Sequence, residues 1–136
     1  MSITIRRSID IEDAVREILV SAGITAYCRP LPKDFSMPSI LVQSTGGTTE
    51  ENWSGLEVMN TFIIVLDSRA ETENDALLTL RNAIGVLKAA VAAQSGPVRY
   101  VSLNSQYSWG ADPVRPELAM CSANLSILAR PESITI

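Results

Sequence analysis

The residue types that usually do chemistry are sparse in this chain and poorly grouped. Its 136 residues include no histidine, which removes the commonest general base and metal ligand, and with it the Ser-His-Asp, Cys-His and most zinc-hydrolase arrangements. Cys28 and Cys121 lie far apart in the sequence and fit no metal spacing, so they read as small apolar side chains of a reducing compartment. Serines are common, but neither Lys33 nor Lys88 stands beside one in a context that would activate it, and a Ser-Lys dyad gains no support. Glu73 and Asp75 have the chemistry of half a metal site. They open a helical pattern, where the helix dipole favours carboxylates, and no third ligand accompanies them. The expectation is a protein with no catalytic residue, no cofactor and no metal.

The stretch "PSILVQSTGGTTEENWSG", residues 38–55, poses a sharper question, because paired glycines after a strand can cradle a phosphate. A phosphate loop also needs a helix to follow and, in the P-loop pattern, a lysine. Here a strand follows, there is no lysine, and Glu50 and Glu51 stand where an anion would sit. The alternative is a long hairpin loop from Gly46 to Gly55 used for contact, with Trp53 either a docking residue, since aromatics are enriched at interface centres, or folded back on the domain's own surface. Trp109, beside Gly110, Asp112 and Pro113, reads as part of a comparable loop, either a second contact point or an ordinary loop anchor.

The elements that must carry these loops follow from periodicity. "DIEDAVREILVSAG" has an N-cap at Asp10, apolar residues at Ile11, Ala14, Val15, Ile18, Leu19 and Ala22, and a stop at Gly23. "ITAYC" reads as a short strand and "RPLPKDFSMP" as an extended connector that prolines keep out of a ladder. "SILVQST" and "LEVMNTFIIVLD" read as a hairpin. From Thr72, the residues Ala76, Leu77, Leu80, Ile84, Leu87 and Val91 recur at helical spacing before Gly96 and Pro97. "VRYVSLNSQYSW" reads as one strand and "GADPVRPE" as a loop. In "LAMCSANLSILAR", residues Ala119, Cys121, Ala123, Leu125, Ile127 and Ala129 alternate with polar residues, the cleanest strand pattern present. The expected fold is therefore α+β, two layers, a mainly antiparallel sheet of four to five strands packed by two helices in the order α-β-β-β-α-β-β.

Length and composition are consistent with a single domain over residues 1–136, its core at about residues 9–131. The chain is 46% hydrophobic and 19% charged with a net charge of −4 and scattered basic residues, which disfavours nucleic-acid binding as its main activity. No apolar run approaches the ~20 residues that span a bilayer, so neither nucleic-acid nor membrane binding is expected. Acidic residues follow Arg6 and Arg7 where a secretory signal would need its apolar core, which predicts a soluble protein kept in a cytoplasm. The long strand adds a clue about partners. Val58, Phe62, Ile64 and Leu66 lie on one side and Met59, Ile63 and Val65 on the other, so one face of the sheet calls for a cover beyond the two helices, either a neighbouring subunit or the chain's own loops.

With its proline-then-strand-then-"TGG" run at residues 38–47, a strand ending just before a small and acidic helix start at residues 67–76, and a closing strand ending in "ILARP", the chain resembles the tail terminator proteins of long-tailed phages and related prophages. The similarity covers about residues 9–131, although "VLDSRAE" stands where members often carry an aromatic. What it implies is a structural virion protein, not an enzyme: a homo-oligomeric ring, typically a hexamer, that caps the tail tube protein and presents a surface to the head-side connector protein. Such a protein works in the host cytoplasm during assembly and remains in the virion tail. The interface residues expected on this reading are Gly46, Gly47, Thr48, Glu50, Glu51, Trp53, Met59, Ile63 and Trp109. A head-tail connector or neck protein of similar fold is the nearest alternative, and a small ligand-binding or enzymatic α+β domain a more distant one.

Overall fold

In the computed structural model, which describes residues 2–51, 53, 57–93, 96–105 and 107–136, Asp10 caps the first helix. Its Oδ1 accepts a hydrogen bond from the Asp13 backbone N–H at 3.2 Å, satisfying one of the donors a helix start leaves free. Helix α1, Ile11–Ser21, turns Ile11, Val15 and Leu19 inward, and Gly23 ends it at φ +86, the left-handed conformation glycine adopts without a Cβ penalty. Helix α2, Glu73–Ala92, is capped by Thr72, whose hydroxyl accepts from the Asp75 N–H. Its buried face is Ala76, Leu80, Ala83, Ile84 and Leu87. Glu73 and Asp75 occupy the first turn, where carboxylates complement the helix dipole.

The strands are β1 Thr4–Arg7, β2 Ala26–Cys28, β3 Ser39–Glu51, β4 Glu57–Ala70, β5 Val98–Leu103, β6 Ser108–Ala111, β7 Ala119–Ala129 and β8 Glu132–Thr135. The main sheet runs β2-β3-β4-β7-β5, with β6 paired to the first part of β7. Only β2, parallel to β3, departs from antiparallel pairing in this sheet among the described residues. Strands β1 and β8 form a separate antiparallel pair. The fold is α+β and two-layered: α1 lies over β2 and β3, while α2 lies over β3, β4, β7 and β5.

Three strands were not expected. Residues 98–109 form β5 and β6, which share β7 end to end, and not one continuous strand. Strands β1 and β8 are four residues each, too short for a periodicity, and they exist by pairing with each other across nearly the whole sequence.

Between helices and sheet sits one core, drawn from Ile40 and Val42 of β3, Ile64 and Leu66 of β4, Leu125 and Ile127 of β7 and the inner faces of both helices. Each such side chain contributes about 1.5–3 kcal/mol on burial. Ser68 turns into this layer and donates to the Ala76 carbonyl at 2.7 Å, tying the end of β4 to the start of α2. Cys28 and Cys121 are both free. The two intervening strands β3 and β4 put their own strands about 14 Å apart at ~4.8 Å per step, beyond disulfide reach. Burial pushes both thiols up.

Candidate interaction surface

Gly46 and Gly47 do not open a loop. Strand β3 continues through them to Glu51; beyond it, of residues 52–56 only Trp53 lies within the described residues, and Gly55 lies outside them. The reason is a bulge. The pairing with β4 shifts between Ser44 and Gly46, so that Ser44 faces Ile64 and Gly46 faces Ile63, leaving Thr45 over. Gly47 follows at φ +158, and a Cβ built on it would stand 2.0 Å from the Thr61 carbonyl oxygen. Only glycine fits so close an approach. The paired glycines thus serve the backbone of a strand.

The bulge also decides which residues share a face. Before it, Ile40 and Val42 point into the core; after it, Gly46, Thr48 and Glu50 stand opposite Ile63, Thr61 and Met59, on the face away from the helices. The structure therefore brings Thr48, Glu50, Met59 and Ile63 together. That outer face continues across the sheet through Val65, Leu128 and Tyr100, aligned by the ladders of β4, β7 and β5. Met59, Ile63, Val65 and Leu128 are half-buried and Tyr100 is exposed. Polar side chains interrupt the apolar ones. Asp67 accepts from Gln43 Nε2 and from Ser122 Oγ, while Asn104 accepts from Ser126 Oγ at 2.9 Å and donates to Asn124 Oδ1.

At one end of this face the hairpin carries Thr48, Glu50, Glu51 and Trp53, all exposed. Trp53 is 107% exposed, so it does not fold back on the domain's own surface. Glu51 stands opposite Glu57, whose carboxylate accepts from Ser8 Oγ. Trp109 is elsewhere. It lies in β6, not in a loop, and pairs with Cys121, which places it on the helix side of the sheet. At 50% exposure it is accessible, but it does not share a face with Met59 and Ile63. Sequence alternation failed here because the break between β5 and β6 has no periodic signature.

Two charge clusters hold this surface in register. Glu12 of α1 accepts from Arg29 Nη2 and from the Ser44 N–H at 3.0 Å, and Arg29 also donates to the Ser44 carbonyl. Burial pushes the Glu12 carboxyl up, but the hydrogen bonds from Arg29 and Ser44 outweigh it and hold it below the ordinary value. The bulge is thereby pinned to the helix layer. At the opposite end Arg69 Nε donates to Asp112 Oδ2 at 2.6 Å, both side chains being buried. Asp112 Oδ1 accepts from the Val114 and Arg115 N–H groups at 2.9 Å each. Neither pair was foreseen, since the partners of each are distant in sequence.

Among the described residues, no three of the Cys, Asp and Glu side chains converge as a metal site, and no helix is long and apolar enough to cross a membrane. No model of a known protein family matches the chain, and no curated protein matches it closely enough to count as a relative.

Proposed function

We propose that this protein is a structural component of a phage tail, a terminator subunit that assembles as a ring, caps the tail tube and meets the head-side connector. It acts by contact and not by catalysis, first in the host cytoplasm and then as part of the virion. The observation that carries the reading is the outer face of the sheet, where Met59, Ile63, Val65 and Leu128 are left half-buried opposite the two helices and beside an acidic, tryptophan-bearing hairpin tip. An apolar strip left open to solvent, here broken by polar side chains such as Thr61, is the kind of surface that meets another protein. Closed rings are a common outcome when such a surface is used head to tail. The resemblance set out from the sequence supports the same assignment.

The test is negative-stain imaging and native mass spectrometry of the purified protein alone and with tail tubes. Ring-shaped particles, or protein seated at one end of each tube, are the expected result. A chain that stays monomeric at high concentration and leaves tube ends bare would overturn it.

A further inference from the structure

The outer face is polarised along β4. Met59, Thr61, Ile63, Val65, Asp67 and Arg69 succeed one another on it, so its two ends lie on the order of 33 Å apart at ~3.3 Å per residue. One end is the hairpin tip with Glu50, Glu51 and Trp53. At the other end a cleft of about 500 Å³ opens between the proline-rich connector and the segment after β6. Leu31, Phe35 and Val114 form apolar walls, and Lys33, Arg69 and Arg115 line it against one carboxylate, Asp112.

Arg69 is the informative residue. It is 7% exposed, its Nε is taken by Asp112, and its Nη1 is buried with no hydrogen-bond partner. A guanidinium is built to hold carboxylates through paired N–H groups, and a buried donor left unmatched is rare. Arg115, whose Nε reaches Glu117 Oε1 at 3.4 Å, lies over the Phe35 ring, 5.6 Å from its centroid. The cleft therefore offers an aromatic floor and three cations against two carboxylates, Asp112 in its lining and Glu117 beside Arg115, in a chain whose net charge is −4.

We infer that this cleft receives the hairpin tip of a second copy of the chain, the Glu50 and Glu51 carboxylates meeting Arg69, Lys33 and Arg115 while Trp53 lies against the apolar walls. The chemistry matches on both sides: carboxylates beside an exposed aromatic, cations beside Phe35 and Leu31. Within one chain the tip cannot reach its own cleft, because β4 holds them at opposite ends. The contact is therefore between different patches of two copies, the kind that closes into a ring or runs on as a filament. This rests on the self-association proposed above and names its contact.

The experiment has two arms. In the first, an end-capped, dye-labelled peptide of residues 48–53, TTEENW, is titrated with the full chain. Saturable binding is expected, weakened tenfold or more by the double substitution Lys33→Glu and Arg115→Glu, and equally by using TTQQNW. Binding that ignores both changes, or that acetate displaces at equal concentration, would overturn the inference; the latter would make the cleft a receptor for small carboxylates. In the second, the Lys33→Glu/Arg115→Glu variant and a Glu50→Lys/Glu51→Lys variant should each fail to assemble alone and assemble when mixed, since opposite charges then face each other at every contact. Rings that form from either variant alone would refute the contact while leaving the ring itself standing. If no assembly is seen even for the wild type, the ring reading fails, and the peptide arm still decides what the cleft binds.

Discussion

Gly47 and Asp112 each hold a position that their neighbours leave little freedom to change. A methyl group at Gly47 meets backbone, the Thr61 carbonyl, which cannot move aside without breaking the β3–β4 ladder. Gly47→Ala should therefore cost more than about 2 kcal/mol in urea unfolding. Gly46→Ala, where a Cβ meets nothing within 4 Å, should cost about 1 kcal/mol, from its φ alone. Because the glycines serve the strand, ATP and phosphate should give no shift of the melting curve; a clear upward shift would restore the phosphate reading. For Asp112, burial raises the carboxyl, but hydrogen bonds from the Arg115 N–H, the Arg69 side chain and the Val114 N–H outweigh it and keep it below the ordinary value of 3.8. The unfolded chain then binds the proton more readily than the folded one. The stability this supplies is complete above the ordinary value and is lost as pH falls through the lower, folded one. Asp112→Asn should flatten part of the acid limb of stability below about pH 4, with Glu12 supplying the rest. It should also lower stability at pH 7 by about 3–5 kcal/mol, because Arg69 is left buried without its counter-charge.

At the scale of the elements, α2 is the main cover of the sheet. Leu80→Ala or Leu87→Ala, at positions that are fully buried, should each cost about 2–5 kcal/mol in equilibrium unfolding. Both helices were legible in the sequence because their caps and their apolar spacing agree: Asp10 and Thr72 open them where the pattern begins. Strand β7 was legible for the same reason, with Ala119 to Ala129 alternating without a break. The path of β3 was not. Two adjacent glycines are a turn signal in most contexts, and nothing local reveals that a bulge at Thr45 lets the chain continue extended past them. The bulge reverses the alternation, so the placement of Glu50 on the outer face beside Met59 could not be read from residue parity. Trp109 was misplaced because β6 borrows its register from β7 and has none of its own. The cleft lined by Lys33, Arg69 and Arg115 joins three segments far apart in the chain, a proximity that only the topology creates.

For the molecule as a whole, Trp53 is the residue at which folding and the proposed assembly can be told apart. Its complete exposure means that Trp53→Ala should leave the thermal midpoint within about a degree or two, as surface substitutions away from packed features do. Size measurements on the same samples should show weaker association, since a buried aromatic anchor can be worth 2 kcal/mol or more to an interface. A mutant melting far below the wild type would assign Trp53 to the domain's own packing.

The two borders of the main sheet carry a different consequence. Strand β2 is three residues long and is followed by a connector with Pro30, Pro32 and Pro38, and the opposite border is divided between β5 and β6, which meet β7 in two separate registers. A long, flat, unpaired border invites backbone pairing with another chain and from there fibrils. Here β2 covers only Ile40–Val42 of β3, but the rest of that border is bent by the bulge at Thr45 and carries Glu50 and Glu51, and the opposite border is divided, so neither is a flat template. The self-association proposed above would then run through side chains, a contact that salt can undo, and heating near the midpoint should yield no thioflavin-positive fibres.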